Sequence, residues 1–192
     1  MFCGSSPGRD PAFVAAADEL GRTLAERGIT VVYGGGSAGL MGALATGALD
    51  AGGHVIGVLP AGLFPDGVTA SPQRAHHRGT FEVEHTADMH ARKARFHDLA
   101  DGYVVLPGGL GTLEEMAEVA TWAQIGLHDN PIGFLDVGGY YDDLFAFFDR
   151  TVADGFVGAA NREQLYCAPS VAALLDLLDA HEPRVEPKWI EP

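Results

Sequence analysis

Short apolar runs alternate along this chain with longer stretches in which apolar and polar positions mix at helical spacing. The runs are ITVVY at 29–33, HVIGVL at 54–59, YVVLP at 103–107 and PIGFLD at 131–136. Their length and their β-branched and aromatic content predict buried strands. The mixed stretches predict helices near 10–27, 38–51, 87–100, 112–126, 140–154 and 170–181. Strand and helix in regular alternation predict an α/β fold, a Rossmann-like doubly wound parallel sheet with helices on both faces. Sites in such sheets lie beyond the carboxyl ends of the strands. Three glycine-rich loops fall there and are expected to surround one ligand: CGSSPG at 3–8, YGGGSAGLMG at 33–42 and PGGLGTLEE at 107–115.

The chain has 192 residues and is 47% hydrophobic, which suits one globular domain with a sizeable core. We expect that domain over 1–181, followed by a proline-rich tail at 182–192. The segment at 59–79, LPAGLFPDGVTASPQRAHHRG, has weak periodicity and reads as a long surface loop serving as a lid. The first strand, about Met1 to Gly4, is short for this class, so more chain is expected upstream.

A formal charge of −14 argues against nucleic acid polymers, whose affinity comes from lysines and arginines neutralising phosphates. Any phosphate site must then be a local arrangement of helix ends and a few cations. Of the two lysines, Lys188 falls in the proline-rich tail, which leaves Lys93 as the one expected to matter. No apolar run approaches the roughly 20 residues that span a bilayer, and no basic-then-apolar leader opens the chain, so a cytoplasmic protein with no membrane partner is expected. Cys3 and Cys167 are too few for a disulfide framework and read as reduced thiols.

PGGLGTLEE carries the most chemistry. Glycines let backbone amides approach a ligand that side chains would fend off. Amides at a helix start carry about half a positive charge from the macrodipole, so an anion is held there without a lysine. Thr112 and Glu115 have the T-x-x-E spacing of a capping box, the favoured reading on spacing alone. Against it stands Glu114, which would put two carboxylates in the first turn beside a loop made for anions. Next to a bound sugar phosphate, a carboxylate stabilises an oxocarbenium ion or orients a water toward the anomeric carbon.

Other motifs are weaker. Gly34, Gly36 and Gly39 give GxGxxG spacing, but no acidic partner for a ribose follows HVIGVLP, so no dinucleotide cofactor is expected. MHARKARFHDLAD at 89–101 gathers Arg92, Lys93 and Arg95. One of the arginines is expected to be packed or paired, Arg95 better fits an exposed basic face, and Arg92 and Lys93 are expected to return toward the phosphate loop. The clustered histidines His76, His77, His85, His90 and His97 lack metal-ligand spacing, so no metal is expected. Ser5 and Ser6 lack a nucleophile elbow.

CGSS at 3–6, VYGGGSAGLMG at 32–42, MHARK at 89–93, PGGLGTLEE and TWAQIGLHDNP at 121–131 together closely resemble the Lonely Guy family, over roughly residues 1–157. Members are cytokinin riboside 5′-monophosphate phosphoribohydrolases, often mislabelled lysine decarboxylases, marked by an RK pair followed by PGGxGTxxE. The resemblance implies a homodimer that needs no cofactor. It implies hydrolysis of the N-glycosidic bond of an N6-modified AMP, or of AMP itself, releasing free base and ribose 5-phosphate. Carried over, the catalytic residues are Arg92 and Glu115. Lys93, Gly109, Leu110, Gly111, Thr112, Leu113, Glu114 and Thr121 become substrate contacts, with Thr121 near the dimer interface. Trp122, Ile125 and Leu127 suit a subunit contact. The family's PxEI loop is replaced here by PDGV at 65–68, and its first strand usually extends further upstream. Rival readings are a molybdenum cofactor carrier of similar fold and a pyridoxal phosphate lysine decarboxylase, which would need Lys93 as its Schiff-base lysine.

Overall fold

A computed structural model describes residues 1–62 and 77–183. Most of the expected lid, PDGV with it, and residues 184–192 of the expected tail lie outside the described residues. The chain divides into two compact units, Met1–Ala100 and Asp101 onward.

In the first unit, helix α1 (Pro11–Glu26) precedes strand β1 (Val31–Tyr33), α2 (Gly39–Asp50), β2 (His54–Pro60), β3 (Thr80–Thr86) and α3 (Met89–Leu99). The strands form a parallel ladder in the order β1-β2-β3, with Tyr33 opposite Gly57 and Pro60 opposite Thr86. From Val55 to Pro60, β2 is buried throughout, which is why it reads as a continuous apolar run. Strand β3, which the hydrophobic pattern did not predict, mixes exposed and half-buried positions along TFEVEHT and buries none of them fully. Among the described residues it pairs with β2 alone, and Glu82 and Glu84 give this edge charge. The expected first strand contracts to a single bridge at Phe2, where the Met1 ammonium donates to the Val32 carbonyl at 2.8 Å. Helices α1 and α2 meet where glycine allows it, since a Cβ on Gly21 would lie 2.1 Å from the Leu44 carbonyl oxygen.

In the second unit, β4 (Tyr103–Val105), α4 (Leu110–Gln124), β5 (Ile132–Leu135), a 3-10 turn (Val137–Gly139), α5 (Asp142–Ala153), α6 (Ala159–Glu163), β6 (Leu165–Ala168) and α7 (Val171–Asp179) follow in order. The ladder is again parallel, β4-β5-β6, with Val105 opposite Phe134 and Phe134 opposite Cys167. Phe134 anchors the core by edge-to-face contacts with Tyr141 at 5.2 Å and Phe145 at 5.0 Å. Both units bear out the expected parallel α/β architecture. Each of the six expected helices is present, while β6 and α6 had no expected counterpart; β6 is half-buried up to Ala168 and α6 has no buried residue, so neither leaves a buried apolar run. No helix of the described residues is long and apolar enough to cross a membrane.

Candidate functional site

The start of α4 settles one reading of PGGLGTLEE. The helix begins at Leu110 with Gly109 as its N-cap, two residues earlier than the hydrophobic pattern predicts. Thr112 is therefore the third residue of the helix and no cap, and no side chain caps this end. The capping box is overturned. Glu114 and Glu115 correspondingly sit past the first turn, which contains no acidic residue.

With Gly109 as N-cap, the first intrahelical bond runs from the Leu113 amide to the Gly109 carbonyl at 3.1 Å. The amides of Leu110, Gly111 and Thr112 thus have no carbonyl of the helix to donate to, and they point outward at its positive end. A Cβ built on Gly109 or Gly111 meets no atom within 4 Å, and neither residue has a positive φ. Neither packing nor backbone geometry among the described residues requires glycine at these positions. Gly111 even carries a cost, because glycine inside a helix is less stable than alanine by about 1 kcal/mol. Open space above unsatisfied amides is what an anion needs.

Packing sets what faces that space. Thr112, Met116 and Val119 form the buried stripe of α4, with Thr112 only 4% exposed. Glu115 is half-buried, Leu113 likewise, and Glu114 and Leu110 are exposed. Thr121 is exposed and its hydroxyl donates to the Ala117 carbonyl of its own helix at 2.7 Å.

Two tyrosines hold the loop, and the sequence reading missed both by placing them in the next helix. The Tyr140 hydroxyl donates to the Gly108 carbonyl at 2.5 Å, and the Tyr141 hydroxyl donates to the Leu106 carbonyl at 2.6 Å. They flank Pro107 and fix both sides of the turn. The backbone reaches this arrangement through Gly138 and Gly139, at φ 65° and 76°, while the Asp136 carboxylate accepts from the Tyr141 amide at 2.8 Å. The available signal was the double glycine after a strand, DVGGYY, which marks a turn rather than a helix.

In the first unit, Asp88 caps α3 by accepting from the Ala91 amide at 2.8 Å. Arg92, one turn on, is 7% exposed, and its Nε donates to the Val58 carbonyl at 3.1 Å. Its guanidinium carbon lies 4.7 Å from the centre of the Phe96 ring, a cation–π contact. Arg92 is thus the packed arginine that the pattern called for. Lys93 is half-buried. Arg95 corrects the expectation of an exposed basic face. It grips Glu84 of β3 with both Nε and a terminal nitrogen, at 2.6 and 2.9 Å. Hydrogen bonding from Arg95 holds the Glu84 carboxyl below its usual range.

The other two glycine loops belong to this unit and touch each other. Gly39, at φ 60°, lies so close to the Ser5–Ser6 backbone that a Cβ there would sit 2.4 Å from it. The Leu40 amide donates to the Gly4 carbonyl at 3.1 Å. These glycines therefore have a packing reason, unlike Gly109 and Gly111, and Ser5 and Ser6 are exposed. Among the described residues, no three or more His, Cys, Asp or Glu side chains gather to hold a metal. His76 lies outside them, and the His77 Nδ1–H donates to the Asp50 carboxylate at 2.8 Å. Cys3 and Cys167 are not joined in a disulfide. Burial first, and Asp136 second, push the Cys167 thiol up to about 11.

Residues 41–178 match the family model described as possible lysine decarboxylase. A cytokinin riboside 5′-monophosphate phosphoribohydrolase of Arabidopsis thaliana is 45% identical over 186 residues, which is 97% of this chain and 84% of that one. The chain belongs to the Lonely Guy family. A second Lonely Guy relative, the cytokinin riboside 5′-monophosphate phosphoribohydrolase of Oryza sativa subsp. japonica, is also 45% identical, over 97% of this chain and 74% of its own. Among solved structures, the molybdenum cofactor carrier protein of Chlamydomonas reinhardtii is similar, with a TM-score of 0.65 and 25% identity over 93% of this chain and 94% of that one. The residues that carry the resemblance fall as follows: the RK pair, Arg92 and Lys93, on α3 of the first unit; PGGLGTLEE at the start of α4 and Thr121 further along that helix in the second.

Proposed function

We propose that this protein is a phosphoribohydrolase, cleaving the N-glycosidic bond of cytokinin riboside 5′-monophosphates or AMP to free base and ribose 5-phosphate. The observation that carries the reading is the uncapped, glycine-lined start of α4, with Glu115 following one turn inside the helix. The amides of Leu110, Gly111 and Thr112 bind the 5′-phosphate, with Lys93, Leu113, Glu114 and Thr121 as further substrate contacts. Binding the phosphate, remote from the reacting carbon, orients the ribose. The Glu115 carboxylate stabilises the oxocarbenium-like state at C1′ and orients the attacking water, while Arg92 steadies phosphate or sugar oxygens. Water supplies hydroxyl to C1′, and the base leaves with the bonding pair and a proton. Residues 1–181 act as one nucleotide-binding hydrolase domain without a cofactor, in the cytoplasm.

The protein works as a homodimer through the C-terminal end of α4. Ile125 and Leu127 are 39% and 64% exposed there, beside the half-buried Trp122. The likeness to a molybdenum cofactor carrier favours one alternative, a binding protein with no turnover. Incubating the protein with isopentenyladenosine monophosphate, AMP and the two dephosphorylated nucleosides, and measuring free base by chromatography, separates the readings. Base released from the nucleotides and not from the nucleosides supports the hydrolase, and no base from any of the four supports the carrier.

A further inference from the structure

The triple glycine after β1 carries a role that its motif spacing does not reveal. A Cβ built on Gly34 would lie 2.4 Å from a terminal nitrogen of Arg92, and next nearest would be the Met41 methyl at 3.3 Å. The arginine side chain therefore occupies the volume that any other residue at position 34 would fill. Gly34 has no positive φ, so its backbone conformation is open to alanine, and space for Arg92 is what the glycine provides. Phe96 also packs on the guanidinium, 4.7 Å from its ring centre, and Phe96 itself is braced edge-on by Phe2 at 6.1 Å. The Val58 carbonyl fixes Nε. Three elements, the end of β1, β2 and α3, thus define one seat for one guanidinium.

We propose that Gly34 is a positioning residue for Arg92, keeping open the space in which the arginine's terminal nitrogen sits; its bearing on catalysis rests on the hydrolase reading above. Ordinary contact begins near 3.4 Å, so alanine at this position must displace that nitrogen by about 1 Å. The displaced atom ends a flexible side chain, so the fold tolerates the change while the guanidinium does not keep its place. A misplacement of about 1 Å in a group that orients substrate costs up to roughly 100-fold in rate.

Gly36 is a matched control. It lies in the same loop, has no positive φ, and a Cβ there would press on Met41 with its sulfur at 2.8 Å, without Arg92 among its three nearest atoms. The experiment compares Gly34→Ala with Gly36→Ala in the full chain, by melting temperature, by kcat/KM on isopentenyladenosine monophosphate, and by the Arg92 Nε–H resonance, identified by its loss in Arg92→Lys. Gly34→Ala is expected to move that resonance and to lower kcat/KM by about 10- to 100-fold with the melting temperature kept. Gly36→Ala should leave the resonance near its wild-type position. An unmoved resonance in Gly34→Ala, or equal loss in both variants, overturns the proposal, the second outcome placing the effect in Met41. If Gly34→Ala fails to fold, the double variant Gly34→Ala/Arg92→Ala removes the guanidinium that the new methyl would strike; a double variant that folds supports the seat, and one that still fails to fold overturns it. A wild-type protein that releases no base refutes the hydrolase reading alone, because the resonance still reports whether Gly34 sets the guanidinium's place.

Discussion

Gly111→Ala separates a helix start from a phosphate site, because the two readings predict opposite signs. Gly111 is the second residue of α4, its Cβ position is empty to 4 Å, and its φ lies in the ordinary range. As a piece of helix, alanine there should stabilise the protein by about 0.5–1 kcal/mol through propensity and reduced freedom of the unfolded chain. For a chain of this size that raises the melting temperature by roughly 1–4 °C. As a phosphate site, the same methyl intrudes where an anion approaches the amides, since helical Cβ atoms lean toward the N-terminus. Losing one charge-assisted hydrogen bond costs about 1.5–3 kcal/mol, or roughly 10- to 100-fold in kcat/KM. The assay is free-base release from isopentenyladenosine monophosphate, paired with calorimetry. A variant that melts higher and turns over more slowly supports the account. One that melts higher and keeps its rate would refute the phosphate cradle and leave PGGLGT as a helix start only.

Tyr140→Phe removes the hydroxyl that holds the Gly108 carbonyl and should raise KM for the nucleotide a few-fold, consistent with about 0.5–1.5 kcal/mol for one such bond; an unchanged KM argues against the clamp. Because the Glu84 carboxyl is depressed by Arg95, its contribution to stability is present above the ordinary carboxylate range and lost as pH falls through its lowered value. Urea midpoints of wild type and Glu84→Gln should therefore differ near neutral pH and converge on acidification, and a gap that widens in acid contradicts the pairing. Leu127→Asp should convert dimer to monomer in light scattering after gel filtration; a wild-type monomer, or a dimer that survives, moves the interface elsewhere.

Much of this was legible in the hydrophobic pattern, and the losses have physical causes. β2 and β4 announced themselves because strands buried on both faces leave uninterrupted apolar runs. β3 was silent because TFEVEHT, an edge strand, has no buried position and carries two glutamates, so it shows no apolar run. The site's residue types stood out, glycines and acids at a predicted helix start, but their roles turned on where that helix begins. A shift of two residues, from 112 to 110, turns Thr112 from a cap into a buried stripe residue and removes the capping box. Likewise, the spacing of Arg92 and Arg95 put them on one side of α3 without saying which packs. Phe96 and Val58 select Arg92 and Glu84 selects Arg95, and only the fold brings these partners near. Tyr140 and Tyr141 were hidden because their contacts lie 32 and 35 residues away in the chain.

Glu115 is the residue on which the hydrolase account turns. Turnover of isopentenyladenosine monophosphate by Glu115→Gln, measured beside the variant's affinity for AMP, tests it most directly. The account predicts a fall of roughly 100-fold or more in rate with affinity within a few-fold of wild type. A variant that releases base at close to the wild-type rate contradicts it.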